Sequence, residues 1–109
     1  MVKWCDKLYM DDKIKKKPQK WRKRLEQEKL SYELYCIALA SNHKNLLDII
    51  DCNELLFRYY KKRDICVVGL AGSRESAILL VQNIIEDVYR ETGGVNVRAY
   101  FKFEESVEG

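Results

Sequence analysis

The most constraining feature of the sequence is one run, Asp64 to Ser76, in which an apolar segment passes through two glycines into an amphipathic segment. The β-branched and apolar residues from Ile65 to Leu70 are typical of a central strand. Ser73 follows the second glycine and precedes apolar residues at helical spacing, which predicts that it caps a helix. Those apolar residues are Ala77, Leu80, Val81, Ile84, Ile85 and Val88. The run therefore predicts a strand, a turn and a long helix, Arg74 to Glu91.

Patterns on either side of this unit predict the other elements. Pro18 suits the first turn of a helix that extends to about Lys29. A polar cluster separates the apolar run Tyr32–Ala40 from Leu46–Ile50, which predicts a β-hairpin. Asp51 starts a short helix through Lys62, because Glu54 follows it at capping-box spacing. The strictly alternating segment Val95–Phe103 predicts a last strand.

The predicted fold class is α+β, or a small α/β fold. Its order is an N-terminal helix, a β-hairpin and then β-α-β-α-β, which gives a four-stranded mixed sheet packed with helices. Gly93 and Gly94 are expected to end the long helix. Either the N-terminal helix, a second copy of the chain or nothing covers the second face of the sheet. The predicted core contains Ile37, Val67, Val68, Leu80, Ile84 and Val97.

The charges divide the chain into two parts. Residues 1–30 carry eleven Lys or Arg and five Asp or Glu, a net charge of +6, whereas the chain of 109 residues has +3 in total. We therefore predict a basic N-terminal arm or helix over residues 1–30 and a single globular domain over residues 31–109.

The four cysteines do not form a motif. They stand at positions 5, 36, 52 and 66, so the sequence contains no Cys-x-x-Cys pair, and we predict no metal and no cofactor. The sequence has no apolar run as long as a membrane span and no secretory signal, which predicts a cytoplasmic protein without a membrane partner. The four thiols are expected to be reduced.

Several segments together resemble a family of small uncharacterised bacterial proteins. The resemblance covers about residues 32–101 and implies no activity, cofactor or catalytic residue. It depends on the Tyr-rich apolar strand and on the following residues: Leu47-Asp48-Ile49-Ile50-Asp51, Glu54-Leu55-Leu56, Tyr59-Tyr60, Val67-Val68-Gly69-Leu70-Ala71, Ala77 and Glu86.

The turn after the central strand has two interpretations. Gly72 lets backbone amides approach a phosphate, and Ser73 and Arg74 could add a hydroxyl and a charge, so these three residues are the candidate anion-binding site. The spacing matches neither a P-loop nor a dinucleotide-binding loop. The structural interpretation is a tight turn in which Ser73 only caps the helix.

The basic arm also has two interpretations. Eight basic residues without an intervening acid could contact phosphates, and an aromatic residue among them could stack on a base. The candidate nucleic-acid-binding residues are Lys13, Lys15, Lys16, Lys17, Lys20, Trp21, Arg22, Lys23 and Arg24. The structural interpretation is a solvated helix, since charge runs are common.

The remaining polar residues do not predict catalysis. His43 lies in a polar loop without a positioned partner, and Asp48 and Asp51 point to opposite faces of a strand. Tyr59 and Tyr60 are expected to pack a helix on the sheet. We predict no catalytic residue.

We therefore expect a small non-enzymatic binding domain that associates with a protein partner or with its own copy. The alternatives are a nucleic-acid-associated protein that uses the basic arm and a phosphate-ligand-binding domain at the turn Gly69–Arg74.

Overall fold

A computed structural model describes residues 2–27, 34–40, 46–56 and 65–101. The strands are β1 (Val2–Met10), β2 (Tyr35–Leu39), β3 (Leu47–Asp51) and β4 (Ile65–Ala71). The helices are α1 (Asp12–Lys15), α2 (Pro18–Glu26), α3 (Arg74–Thr92) and α4 (Val97–Phe101), and a 3-10 helix spans Cys52–Leu56. The fold is α+β with a four-stranded mixed sheet, as the sequence predicts.

The sheet has the order β1-β4-β2-β3. β1 is parallel to β4, whereas β2 is antiparallel to both β4 and β3. The hairpin of β2 and β3 confirms the predicted pairing, and the polar turn 41–45 between them lies outside the described residues. β4 is therefore the central strand, as its continuous apolar sequence predicts.

The predicted order is wrong at its start, because the chain begins with a strand and not with a helix. β1 was missed because its apolar residues do not alternate regularly. Trp4 pairs with Val67 and Tyr9 pairs with Gly69, so β1 has more residues than β4 between these two pairs. Such an irregularity breaks the period of two by which strands are recognised.

The predicted last strand is also wrong over the described residues, where Val97–Phe101 is helix α4. Asn96 accepts a hydrogen bond from the Ala99 amide at 3.1 Å, as an N-cap residue does. The helical spacing brings Val97 and Phe101 to the same core. β1 occupies the edge of β4, and residues 102 and 103 lie outside the described residues.

Helices lie on both faces of the sheet. On one face, Ile14 of α1 and Leu25 of α2 pack on Cys36, Val67 and Leu70. On the other face, the apolar side of α3 and Val97 of α4 pack on residues that include Ile37 and Val68. The N-terminal helices thus cover the second face of the sheet. The six predicted core residues are all buried, with at most 8% of their surface exposed.

The long helix α3 starts and ends as predicted. The Ser73 hydroxyl accepts a hydrogen bond from the Ser76 amide at 3.1 Å. Gly93 adopts φ 78°, a left-handed conformation that glycine adopts without a steric penalty, and its amide donates to the Tyr89 carbonyl. The predicted helix Asp51–Lys62 begins as the 3-10 helix, and its part beyond residue 56, with Tyr59 and Tyr60, lies outside the described residues.

Candidate nucleic-acid interface

The turn between β4 and α3 has its polar groups paired within the chain. The Gly72 amide donates a hydrogen bond to Asp11 Oδ2 at 2.7 Å. Asp11 Oδ1 accepts a second hydrogen bond from the Ile14 amide at 3.0 Å, which caps α1. Ser73 Oγ accepts from the backbone of α3. The carboxylate of Asp11 therefore occupies the Gly72 amide, one of the donors that the sequence predicts for an external anion.

The two glycines of this unit allow close packing. A Cβ on Gly69 would lie 3.1 Å from Ile37 Cδ1 and 3.3 Å from the Tyr9 carbonyl oxygen, because strands β1 and β2 both approach β4 there. A Cβ on Gly72 would lie 2.5 Å from Lys13 Cδ. Both glycines are thus explained by packing within the chain, and anion binding at this turn remains a prediction.

The predicted nucleic-acid-binding residues lie on α1, on α2 and in the short turn between the two helices. Ile14 is fully buried and Leu25 is 5% exposed, which fixes both helices to the sheet. We call the surface that these helices carry the basic face. It consists of Lys13, Lys15, Lys16, Lys17, Lys20, Trp21, Arg22, Lys23 and Arg24. The six lysines are exposed, whereas Trp21, Arg22 and Arg24 are half-buried.

Aromatic rings lie within the basic face. The Nζ atoms of Lys13 and Lys20 are 5.4 Å and 4.9 Å from the centroid of the Trp21 ring. The Arg22 guanidinium lies 4.7 Å from the centroid of the Trp4 ring, so β1 extends the same arrangement. Such cation–π contacts hold long basic side chains close to the surface. The indole N–H of Trp4 donates to Glu26 at 2.8 Å, which ties β1 to α2.

The six lysines of the basic face have no salt-bridge partner in the described part of the chain. Asp11 is half-buried and accepts hydrogen bonds from two backbone amides. The face therefore carries a concentrated positive potential, which attracts anionic surfaces.

A polar network that the sequence did not predict joins β1 to α3 and α4. The Tyr9 hydroxyl donates to Asp87 at 2.6 Å and lies 3.3 Å from the Tyr100 hydroxyl. Tyr100 also donates to Glu91 at 3.2 Å, and Arg90 donates to Asp87. Burial and the Asp87 hydrogen bond raise the pKa of Tyr9 far above its ordinary value, so Tyr9 remains a hydrogen-bond donor at neutral pH.

Two of the cysteines, Cys5 and Cys36, are poor nucleophiles. Burial raises the pKa of Cys5 to about 11, and it raises the pKa of Cys36 further still. A raised pKa keeps a thiol protonated at neutral pH, and the protonated thiol is the unreactive form. His43 lies outside the described residues. Within the described part of the chain, no cluster of three or more His, Cys, Asp or Glu side chains is arranged to hold a metal ion.

The basic face combines exposed lysines with aromatic rings, which are groups that can contact phosphates and stack on bases. Of the helices that the structure describes, none has the length and apolarity to cross a membrane.

Searches against protein-family models, curated proteins and solved structures found no match to this chain.

Proposed function

We propose that the protein binds nucleic acid through its basic face, by contacts to phosphates that do not depend on sequence. The observation that carries this proposal is the set of six exposed lysines on α1, α2 and the turn between them, two of which lie over the Trp21 ring and none of which has a salt-bridge partner among the described residues. Each phosphate that a lysine neutralises releases counterions from the nucleic acid, which favours binding at low salt.

The fixed position of the two helices supports this proposal. The buried side chains of Ile14 and Leu25 anchor α1 and α2, and Asp11 ties the start of α1 to the turn before α3. The lysines therefore project from elements that are already ordered. Binding then costs only the ordering of the side chains, whereas a disordered arm would also lose backbone entropy.

The expected association with a protein partner or a second copy has narrower support. Both faces of the sheet carry helices, so the described surface offers the edge strands β1 and β3 for such a contact. Leu46, beside β3, is 41% exposed. An edge strand can pair with another chain, and we keep this association as a second candidate.

The proposal retains the other predicted properties of the chain. It describes a non-enzymatic protein of the cytoplasm whose partner is a polyanion. The phosphate-ligand alternative at Gly72, Ser73 and Arg74 receives less support, because the Gly72 amide already donates to Asp11 and the Ser73 hydroxyl oxygen already accepts from the backbone of α3.

Fluorescence anisotropy with a labelled duplex and a labelled single strand, measured at several salt concentrations, tests the proposal. The double variant Lys16→Gln/Lys20→Gln should weaken binding of both probes and lower the salt slope by about 0.7–0.9 for each phosphate contact that is lost. The matched control is Gln82→Glu/Asn83→Glu. It changes the net charge equally, on exposed positions of α3 at the opposite face of the sheet.

The control should retain more affinity than the double lysine variant if the basic face makes the contacts. Equal losses in the two variants would show that only net charge matters. Absence of binding by the wild type at low salt would refute the proposal.

A further inference from the structure

A cleft runs along the edge of β1, beside the C-terminal end of α3 and helix α4. Its volume is about 850 Å³, within the range of roughly 300–1,000 Å³ that ligand sites occupy. The residues that line it include Trp4, Lys7, Tyr9, Glu91, Tyr100 and Phe101. The basic face lies on the other face of the sheet, and β1 links the two, because Trp4, which lines the cleft, contacts Arg22 of the basic face.

The walls of the cleft are aromatic and well ordered by their own contacts. Phe101 packs edge to face against Tyr9 and against Tyr100, with ring centroids 6.0 Å and 5.0 Å apart. The hydroxyls of Tyr9 and Tyr100 are held by Asp87 and Glu91. Rings fixed in this way lose little side-chain entropy when a ligand contacts them.

The charged residues that line the cleft are two acids, Asp6 and Glu91, and two bases, Lys3 and Lys7. The carboxylate of Glu91 disfavours a phosphate inside the cleft and can accept a hydrogen bond from an amino or imino group of a base. Lys7 is exposed on β1 and can contact the adjoining phosphate. A base inside and a phosphate at the rim therefore match the chemistry of the walls.

We propose that this cleft takes an unstacked nucleobase, so that the protein prefers single-stranded nucleic acid to duplex. This inference rests on the proposed function, because the basic face, which β1 links to the cleft through Trp4 and Arg22, supplies the other phosphate contacts of the same strand. A duplex buries its bases in the stack and would need to unpair one, which costs a few kcal/mol. A single strand presents bases that stack on aromatic side chains without that cost.

The test compares a labelled oligothymidylate with a labelled duplex of the same length, at low salt, against the wild type and three variants. Tyr100→Leu removes an aromatic wall, and Tyr100→Phe is its matched control because it keeps the ring and loses only the hydroxyl. Lys7→Gln removes the charge at the rim from an exposed position. Circular dichroism checks that each variant is folded.

The wild type should bind the single strand more tightly. Tyr100→Leu should lower that affinity by at least about fivefold, the lower end of what one stacked base contributes. It should leave the duplex affinity unchanged, and Tyr100→Phe should bind as the wild type does. Lys7→Gln should weaken only the single strand. If Tyr100→Leu does not fold, Lys7→Gln tests the inference in its place. It should lower the affinity for the single strand and leave the affinity for the duplex unchanged.

Three results would overturn the inference. Equal affinity of the wild type for both probes, equal effects of Tyr100→Leu and Tyr100→Phe, or an unchanged single-strand affinity in Lys7→Gln would each exclude a base in the cleft. The basic-face proposal survives these results if Lys16→Gln/Lys20→Gln still weakens both probes. It fails together with the inference only if the wild type binds neither probe.

Discussion

Asp11 joins two distant parts of the chain, and its removal should destabilise the protein. Asp11→Ala removes the cap of α1, at a cost of about 0.5–2 kcal/mol. It also leaves the Gly72 amide without its carboxylate acceptor, and hydrogen bonds to charged groups contribute about 1.5–3 kcal/mol. Because Asp11 is half-buried, water replaces part of the second bond, and we expect a total loss of about 2–4 kcal/mol.

Asp11→Asn separates the two contributions. Asparagine caps helices as well as aspartate does, so the bond to the Ile14 amide can persist. Its amide nitrogen would then face the Gly72 amide, and two donors do not bond. We expect Asp11→Asn to lose about 1–2 kcal/mol, less than Asp11→Ala.

Urea unfolding followed by circular dichroism measures both free energies of unfolding. An equal loss of unfolding free energy in the two variants would contradict the interpretation that Asp11 stabilises the protein through two separate hydrogen bonds. A loss below about 0.5 kcal/mol in Asp11→Ala would contradict it as well, since that is the level of ordinary surface substitutions. If phosphate raises the melting temperature of the wild type and of Lys16→Gln/Lys20→Gln but not that of Ser73→Ala, the turn binds an external anion in spite of Asp11.

Four further predictions follow from the contacts. Ser73→Ala should lower the free energy of unfolding by about 0.5–2 kcal/mol in urea, whereas Ser73→Asp should retain the cap. Ile84→Ala should lower it by about 2–4 kcal/mol, because Ile84 is fully buried. The hydrogen bond from Tyr9, and after it the contacts with Arg90, hold the pKa of Asp87 below its ordinary value of 3.8. The ionised carboxylate therefore stabilises the fold fully above pH 3.8, and this stabilisation is lost as the pH falls through the lowered pKa. Tyr9→Phe should make the free energy of unfolding, measured in urea, less sensitive to acid. With a pKa of about 11, Cys5 should react more slowly with iodoacetamide at neutral pH than an unfolded-chain thiol, as measured by mass spectrometry.

The strand–turn–helix unit could be predicted because its signals are local. The apolar run of β4, the cap Ser73 and the terminating Gly93 lie next to the elements that they define, and the structure has each of them at the expected position. The hairpin was predictable for the same reason, since its two apolar runs follow each other in the sequence.

The errors have physical causes. β1 is an edge strand, which tolerates polar residues such as Asp6 and Lys7, so its sequence does not show a strand period. The segment Val95–Phe103 alternates, but Val97 and Phe101 are also four residues apart, so the same apolar residues fit one face of a helix. Asn96 after two glycines was the signal that could have indicated a helix start.

The sequence predicted which residues belong to the basic face, but it did not predict how the fold places them relative to one another. The charge run identified the basic residues of α1 and α2, yet nothing local shows that Lys13 lies over Gly72 or that Arg22 stacks on Trp4. The bond from Asp11 to Gly72 joins residues 61 positions apart. The cleft combines β1 with α4, two elements that the sequence assigned wrongly.

The most direct test of the central claim is a map of amide chemical shifts in the isotopically labelled protein, recorded during titration with a short oligonucleotide at low salt. The account predicts saturable shifts concentrated at the basic face, from Lys13 to Arg24, with the exposed side of α3 unchanged. Shifts confined to α3, or a spectrum that does not change at any oligonucleotide concentration, would contradict it.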